Sequence, residues 1–227
     1  AALREAMEGA TVTTQQYDLS TPVYSQSFSV YARETTPSGV TFSTDGTNMY
    51  VCGLANEGIV QYTLSTAFKV TTAVYVRFFD VSGYTSKPQG IVFSPDGAKM
   101  YFVEDSGDSV LQWALSTAWD ISTASYSNKY FDVTAQDSKP QDVFFKPDGL
   151  KMFMVGKTTD RVYRYSLSTA WDISTMSYDS SYFSTASQEN TPHSLQFKSD
   201  GTKMYVSGEG SNTVSYTHLT LPTNREV

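Results

Sequence analysis

Short apolar runs alternate with polar clusters along most of the chain. Residues 91–133 show the pattern clearly. Ile91-Val92-Phe93 is β-branched and aromatic, as a strand requires. Ser94-Pro95-Asp96-Gly97 then turns the chain, with glycine free to take positive φ in a hairpin. Met100-Tyr101-Phe102-Val103 is apolar at every position, so this second strand must be covered on both faces. The acidic stretch Glu104-Asp105-Ser106-Gly107-Asp108 reads as a loop, and Val110 to Leu115 as a third strand. Ser116 to Thr123 forms a further turn, in which Ser, Thr and Asp bond nearby amides. Tyr126 to Val133 alternates apolar and polar residues, predicting a fourth strand with one wet face.

This unit is repeated. TPSGVTFSTDGTNMYV from 36 is echoed by KPQGIVFSPDGAKMYF from 87, KPQDVFFKPDGLKMFM from 139 and TPHSLQFKSDGTKMYV from 191. The prolines (Pro37, Pro88, Pro140, Pro192) and the turn aspartates (Asp45, Asp96, Asp148, Asp200) recur every 51 or 52 residues. LSTAWDIST occurs identically at 115–123 and 167–175. A fixed period near 50 outranks any local propensity. Four antiparallel strands in each of these units, with buried inner strands and a half-exposed outer one, describe an all-β propeller blade.

Phe28-Ser29-Val30 falls in register with Phe79-Asp80-Val81, and Tyr17-Asp18-Leu19 with Tyr62-Thr63-Leu64. Residues 11–214 are therefore expected to hold the third and fourth strands of one blade, three complete blades, and the first two strands of another. Two arrangements follow. Strands at 191–206 could pair with the N-terminal pair and close a four-blade ring, or the chain could be an arc of a larger ring.

Both ends leave the pattern. ALREAMEG at 2–9 reads as a short helix capped by Gly9, either an arm or the end of a preceding domain. After Val214, Ser215 and Thr217 replace the apolar and aromatic residues that the repeat demands. VSYTHLTLPT resembles one reading frame of a transposase-type sequencing adapter, so residues 215–227 are expected to be non-native.

Composition narrows the functional classes. The 227 residues carry a net charge of −7, and the 16 Lys and Arg are scattered. No basic stripe suited to phosphates exists, which argues against nucleic acid. No apolar run approaches the ~18 residues of a spanning helix. Cys52, the only cysteine, admits no internal disulfide and reads as a small buried residue.

The motif P-x-G-hydrophobic-x-F-S-P-D-G-x-K-M-Y, as in PQGIVFSPDGAKMYFV, resembles propeller repeats of the YVTN and NHL type. The longer unit with S-T-A-W-D-I-S-T is similar to repeats of environmental bacterial and marine phage proteins. The resemblance covers about residues 14–214. It implies a propeller, and it extends to lactonases and metal-dependent gluconolactonases as well as to binding modules.

Candidate chemistry is sparse. No nucleophile elbow, phosphate-binding glycine loop or metal-spaced His/Asp set is present. Loops expected on one face carry Glu57, Glu104, Asp105, Asp108, Asp160 and Glu209, along with Lys87, Lys139, Gln89, Gln141 and His193. They form either a solvated rim or candidates for contact with a polar or cationic ligand, or for Ca²⁺ held by carboxylates, although the usual Ca²⁺ loop spacing is absent. Asp45, Asp96, Asp148 and Asp200 recur too regularly for anything but a turn, and Trp119 and Trp171 are expected to pack between blades. The expected function is a non-enzymatic binding or scaffolding module for a protein or glycan, without cofactor, on a phage particle or bacterial exterior. The alternative is a lactonase-like or metal-dependent propeller hydrolase with its site partly in further blades.

Overall fold

The computed structural model describes residues 25–210 and the backbone of 214–218. Blade 1 consists of β1 (Pro37–Phe42), β2 (Asn48–Gly53), β3 (Gly58–Leu64) and β4 (Ala73–Asp80). Blade 2 consists of β5 (Pro88–Phe93), β6 (Lys99–Glu104), β7 (Ser109–Leu115) and β8 (Ala124–Asp132). Blade 3 follows with β9 (Pro140–Phe145), β10 (Lys151–Gly156), β11 (Arg161–Leu167) and β12 (Met176–Ser184). Blade 4 has β13 (Pro192–Phe197), β14 (Lys203–Gly208) and β15 (Val214–His218). Each sheet is an antiparallel meander in sequence order. Residues 1–10, where the sequence predicts a short helix, lie outside the described residues.

The hairpins form for the reason their sequences suggest. In the first, Ser43 Oγ donates to Asp45, whose carboxylate accepts from the Thr47 amide, and Gly46 takes φ of 70°. Asp96, Asp148 and Asp200 accept from the amide two residues on in the same way. These hydrogen bonds hold the carboxyls of Asp45 and Asp96 below the ordinary range.

The core sits between blades rather than within them. Tyr50, Cys52 and Ile59 of blade 1 pack on Ile91, Phe93 and Met100 of blade 2. Tyr101, Val103 and Val110 of blade 2 pack on Val143, Phe145 and Met152 of blade 3. Val155 and Val162 then meet Leu195, Phe197 and Met204 of blade 4. Burying each such side chain contributes about 1.5–3 kcal/mol. The second strands of blades 1 and 2 are enclosed on both faces, with Met100 to Val103 at 0% exposure.

Trp119 and Trp171 lie at these junctions, half-buried. Trp119 packs in a tilted arrangement on Phe93, ring centroids 5.2 Å apart, and its carbonyl accepts from the Tyr50 hydroxyl of the preceding blade at 2.5 Å. Trp171 repeats this with Phe145 at 5.1 Å and the Tyr101 hydroxyl at 2.6 Å. Both tryptophans adopt positive φ, 66° and 59°, which presses each ring against the hairpin glycine, Gly97 or Gly149.

The inner strands β1, β5, β9 and β13 pack on one another in that order, with no comparable packing of β13 on β1. The described blades form an arc, the second of the two expected arrangements, and not a ring closed through the N-terminal pair. Its physical reason is that the free edge of β14 is taken by β15, not by an N-terminal strand. β15 extends past Val214, where the side-chain pattern lapses, because backbone pairing is indifferent to side-chain identity. Residues 17–19 lie outside the described residues, and 25–30, which precede blade 1 in the chain, lie against it without strand pairing.

Candidate functional site

The inner strands line a cleft of about 480 Å³. Val40, Phe42, Ile91, Phe93, Val143, Phe145, Leu195 and Phe197 make its wall largely apolar, and Thr41, Ser194 and Gln196 add uncharged polar groups. Asp142 is the one charged residue among those lining it.

Asp142 interrupts the repeat. Gly39 and Gly90 stand in the same place in blades 1 and 2, and Ser194 in blade 4. Its Oδ2 accepts from the Leu195 amide at 2.9 Å and the Ser194 hydroxyl at 3.1 Å, both in blade 4. Its Oδ1 accepts from the Val143 amide at 2.9 Å. On the other side the carboxylate leans on Gly90, where a Cβ would come within 2.1 Å of Oδ1. Burial pushes the carboxyl up to about 6, against the lowering effect of its hydrogen bonds. A carboxyl poised near neutrality beside an apolar wall has the character of a general base. Sequence reasoning passed over Asp142, yet the signal was present: Pro-x-Gly in two repeats becomes Pro140-Gln141-Asp142 in the third.

The rim carries the residues picked out by sequence, and several of them need correction. Glu104 was expected to meet a ligand, but it is 4% exposed. Its Oε2 accepts from the amides of Ser106 and Gly107 and from the hydroxyls of Ser106 and Thr85. Gln89 and Gln141 are 8% and 4% exposed, because both begin inner strands covered by neighbouring blades. Gln141 Nε2 turns to the carbonyls of Lys139 and Pro140.

Asp108 takes a φ of 51°, a left-handed turn position that Asp tolerates well, as do Glu57 and Asp160 in register with it. Burial and the neighbouring Asp105 and Glu104 raise the Asp108 carboxyl. Asp105 faces the Lys87 ammonium at 3.8 Å, and Lys139 is exposed. His193 Nε2 lies 3.0 Å from Lys157 Nζ and 3.4 Å from the Glu209 carboxylate. The candidates thus fall into separate local pairs and not one convergent site. Among the described residues, no group of three or more His, Cys, Asp or Glu is arranged to hold a metal ion, and no helix is long and apolar enough to cross a membrane.

No protein-family model matches the chain, and no curated protein matches it in sequence. Solved structures do match in shape. A protein provisionally named a 6-phosphogluconolactonase, from Bacteroides uniformis, superposes with a TM-score of 0.57 at 13% identity, over 81% of this chain and 50% of its own. A Bacteroides fragilis protein provisionally given the same name gives 0.57 at 15% identity, over 80% and 50%. The periplasmic gluconolactonase of Pseudomonas aeruginosa gives 0.54 at 14% identity, over 80% and 49%. The chain spans about half the length of these proteins. What it shares with them is the propeller fold.

Proposed function

We propose that the chain is a run of blades from a lactonase-like propeller that opens a cyclic ester of a small sugar acid in the inner cleft. The observation that carries this reading is Asp142, a carboxyl raised towards neutrality by burial at an inner-strand position that holds glycine in blades 1 and 2. In this role its carboxylate takes a proton from water as the water attacks the lactone carbonyl. The apolar wall limits competing solvent. The propellers that share the fold include proteins named for lactone hydrolysis. The test is hydrolysis of δ-gluconolactone followed in a pH-stat, with Asp142→Asn and Asp142→Gly compared with the parent. Loss of turnover in both variants, with unchanged circular dichroism, supports the reading. Turnover that persists in both variants overturns it.

A second reading has an observation of its own. Both Asp142 oxygens already accept hydrogen bonds, and those of Oδ2 join blade 3 to blade 4. A carboxylate engaged in that way suits a joint better than a base. It fits a non-enzymatic binding or scaffolding propeller for a protein or glycan, on a virion or outside the cell. Absence of turnover on lactones and esters, together with capture of a glycan or protein that Asp142→Asn leaves intact, favours this second reading.

A further inference from the structure

The inner cleft is polar at one end and aromatic along the rest. Gly39, Gly90, Asp142 and Ser194 stand in register on the four inner strands. At this level the strands touch directly. A Cβ on Gly39 would lie 2.7 Å from the Gln89 carbonyl, and one on Gly90 2.8 Å from the Asp142 Cα. Asp142 in turn bonds the Ser194 hydroxyl. Blades 1 and 2 place no side chain here, which keeps room beside the carboxyl. Two residues further along, the register holds Thr41, Val92, Phe144 and Gln196, and Phe144 packs on Phe197 with ring centroids 4.9 Å apart. Phe145 ends β9 three residues past Asp142, about 10 Å away at the usual strand rise. Trp171 is stacked on Phe145 at 5.1 Å, and Trp119 packs on Phe93 in the equivalent place. Pro95 and Pro147 of the hairpins complete this end.

The wall beyond the carboxyl thus runs further than a lactone ring reaches, and it is lined by aromatic, aliphatic and proline side chains. We infer that the cyclic ester opened in this cleft carries an alkyl or acyl arm, with its ring at Asp142 and the arm laid along the wall towards Trp119 and Trp171. The inference rests on the reading of Asp142 as the base, and it adds the part of the substrate that the base does not touch. Aromatic faces also suit sugar rings, but Val92, Phe144 and the two prolines offer no side-chain hydrogen bond to replace those that sugar hydroxyls lose on leaving water. An apolar arm loses none. The hydrolysis itself is unchanged by the arm. Water adds to the carbonyl, the ring C–O bond breaks, and the proton taken up by Asp142 passes to the departing alkoxide, giving a hydroxy acid.

The test compares δ-valerolactone, which has no arm, with δ-dodecalactone in a pH-stat. Each methylene buried on the wall gives about a fourfold gain, so kcat/KM should rise about tenfold or more with the arm. Val92→Thr nearly keeps the volume and sets a hydroxyl in the wall. It should lower the ratio of the two kcat/KM values about threefold or more, and a ratio is blind to any loss of folded protein. Binding has a readout of its own. Trp119 and Trp171 line the wall, whereas Trp113 is 1% exposed and supplies a constant background. Tryptophan emission should therefore respond to δ-dodecalactone and not to δ-valerolactone. Two lactones opened equally well, a ratio indifferent to Val92→Thr, or emission indifferent to δ-dodecalactone overturns the inference, and the first of these leaves Asp142 as a base. Emission that responds while no lactone is opened removes the base and leaves the place of the arm standing.

Discussion

Glu104 and Thr85 have exchanged the roles that their counterparts hold in the other blades. In blades 1, 3 and 4 the carboxylate comes from the loop before the first strand: Glu34, Asp137 or Glu189. It bonds amides of the loop after the second strand, and the facing residue is glycine. A Cβ on Gly53 or Gly156 would lie 2.2 Å from that carboxyl side chain, and one on Gly208 2.6 Å. In blade 2 the glycine place holds Glu104, and the carboxylate place holds Thr85, whose hydroxyl donates to it at 3.2 Å. Every blade has one buried carboxylate at this point, drawn from either side of the same gap.

The exchange predicts a rescue. Glu104→Gln should destabilise the protein by about 1–3 kcal/mol, since two amides lose a charged acceptor. Thr85→Glu alone should also destabilise it, by placing two carboxylates in one buried site. The double variant Thr85→Glu/Glu104→Gly rebuilds the arrangement of the other blades and should recover most of the loss. Urea denaturation of the three variants measures this, and a double variant no better than the worse single one would refute the shared role.

Trp119→Ala and Trp171→Ala should each cost about 3 kcal/mol, the lower end for truncating a buried aromatic, because both rings are half-buried. Each substitution removes the ring contact with Phe93 or Phe145 and exposes the hairpin glycine beneath. Thermal unfolding of the two variants checks this. A loss below about 0.5 kcal/mol would place the rings at the surface instead.

Cys52 should be inert in the folded protein. Burial pushes its thiol up to about 12, and its Sγ is engaged with the Gln89 carbonyl at 2.5 Å. A chromogenic disulfide reagent at pH 8 should modify it only as fast as the protein unfolds. Rapid labelling without denaturant would contradict the packing of the first blade junction.

The pH dependence of stability should carry the signature of Asp142. Its folded value, about 6, lies above the unfolded 3.8, so the folded state holds the extra proton between the two. Its contribution is therefore most favourable below pH 3.8 and declines as pH rises towards 6. The stability difference between parent and Asp142→Asn should shift against the parent across that window, as measured by urea midpoints at pH 4 and pH 7. The hairpin carboxyls of Asp45 and Asp96 act oppositely: their lowered values give stability that is lost as pH falls below 3.8.

The blade was legible because its causes are local and repeated. Phe93, the Ser94–Gly97 turn and the Met100–Val103 strand each announce themselves, and the period multiplies the signal fourfold. The rim misled because acidic loop residues look alike in sequence whether they face solvent or amides. Glu104 differs from Asp105 only in which way the chain turns after β6. The buried Glu34, Asp137 and Glu189 went unnoticed because type and position vary, with Thr85 breaking the series. Asp142 was concealed by attention to what recurs. The cleft depends on four strands far apart in the chain, and no single segment foreshadows its lining.

Placing the core between blades has a consequence for how the molecule comes apart. Tyr50 is covered by Phe93 and Trp119 of the next blade, and Tyr101 by Phe145 and Trp171. A solitary blade therefore has two apolar flanks and no interior of its own. Its folding free energy resides in its neighbours, as in a one-dimensional lattice with strong nearest-neighbour coupling. Asp142, bonded across to Ser194 and Leu195, ties blade 3 to blade 4 at one of these seams, so a change there is felt by two blades at once.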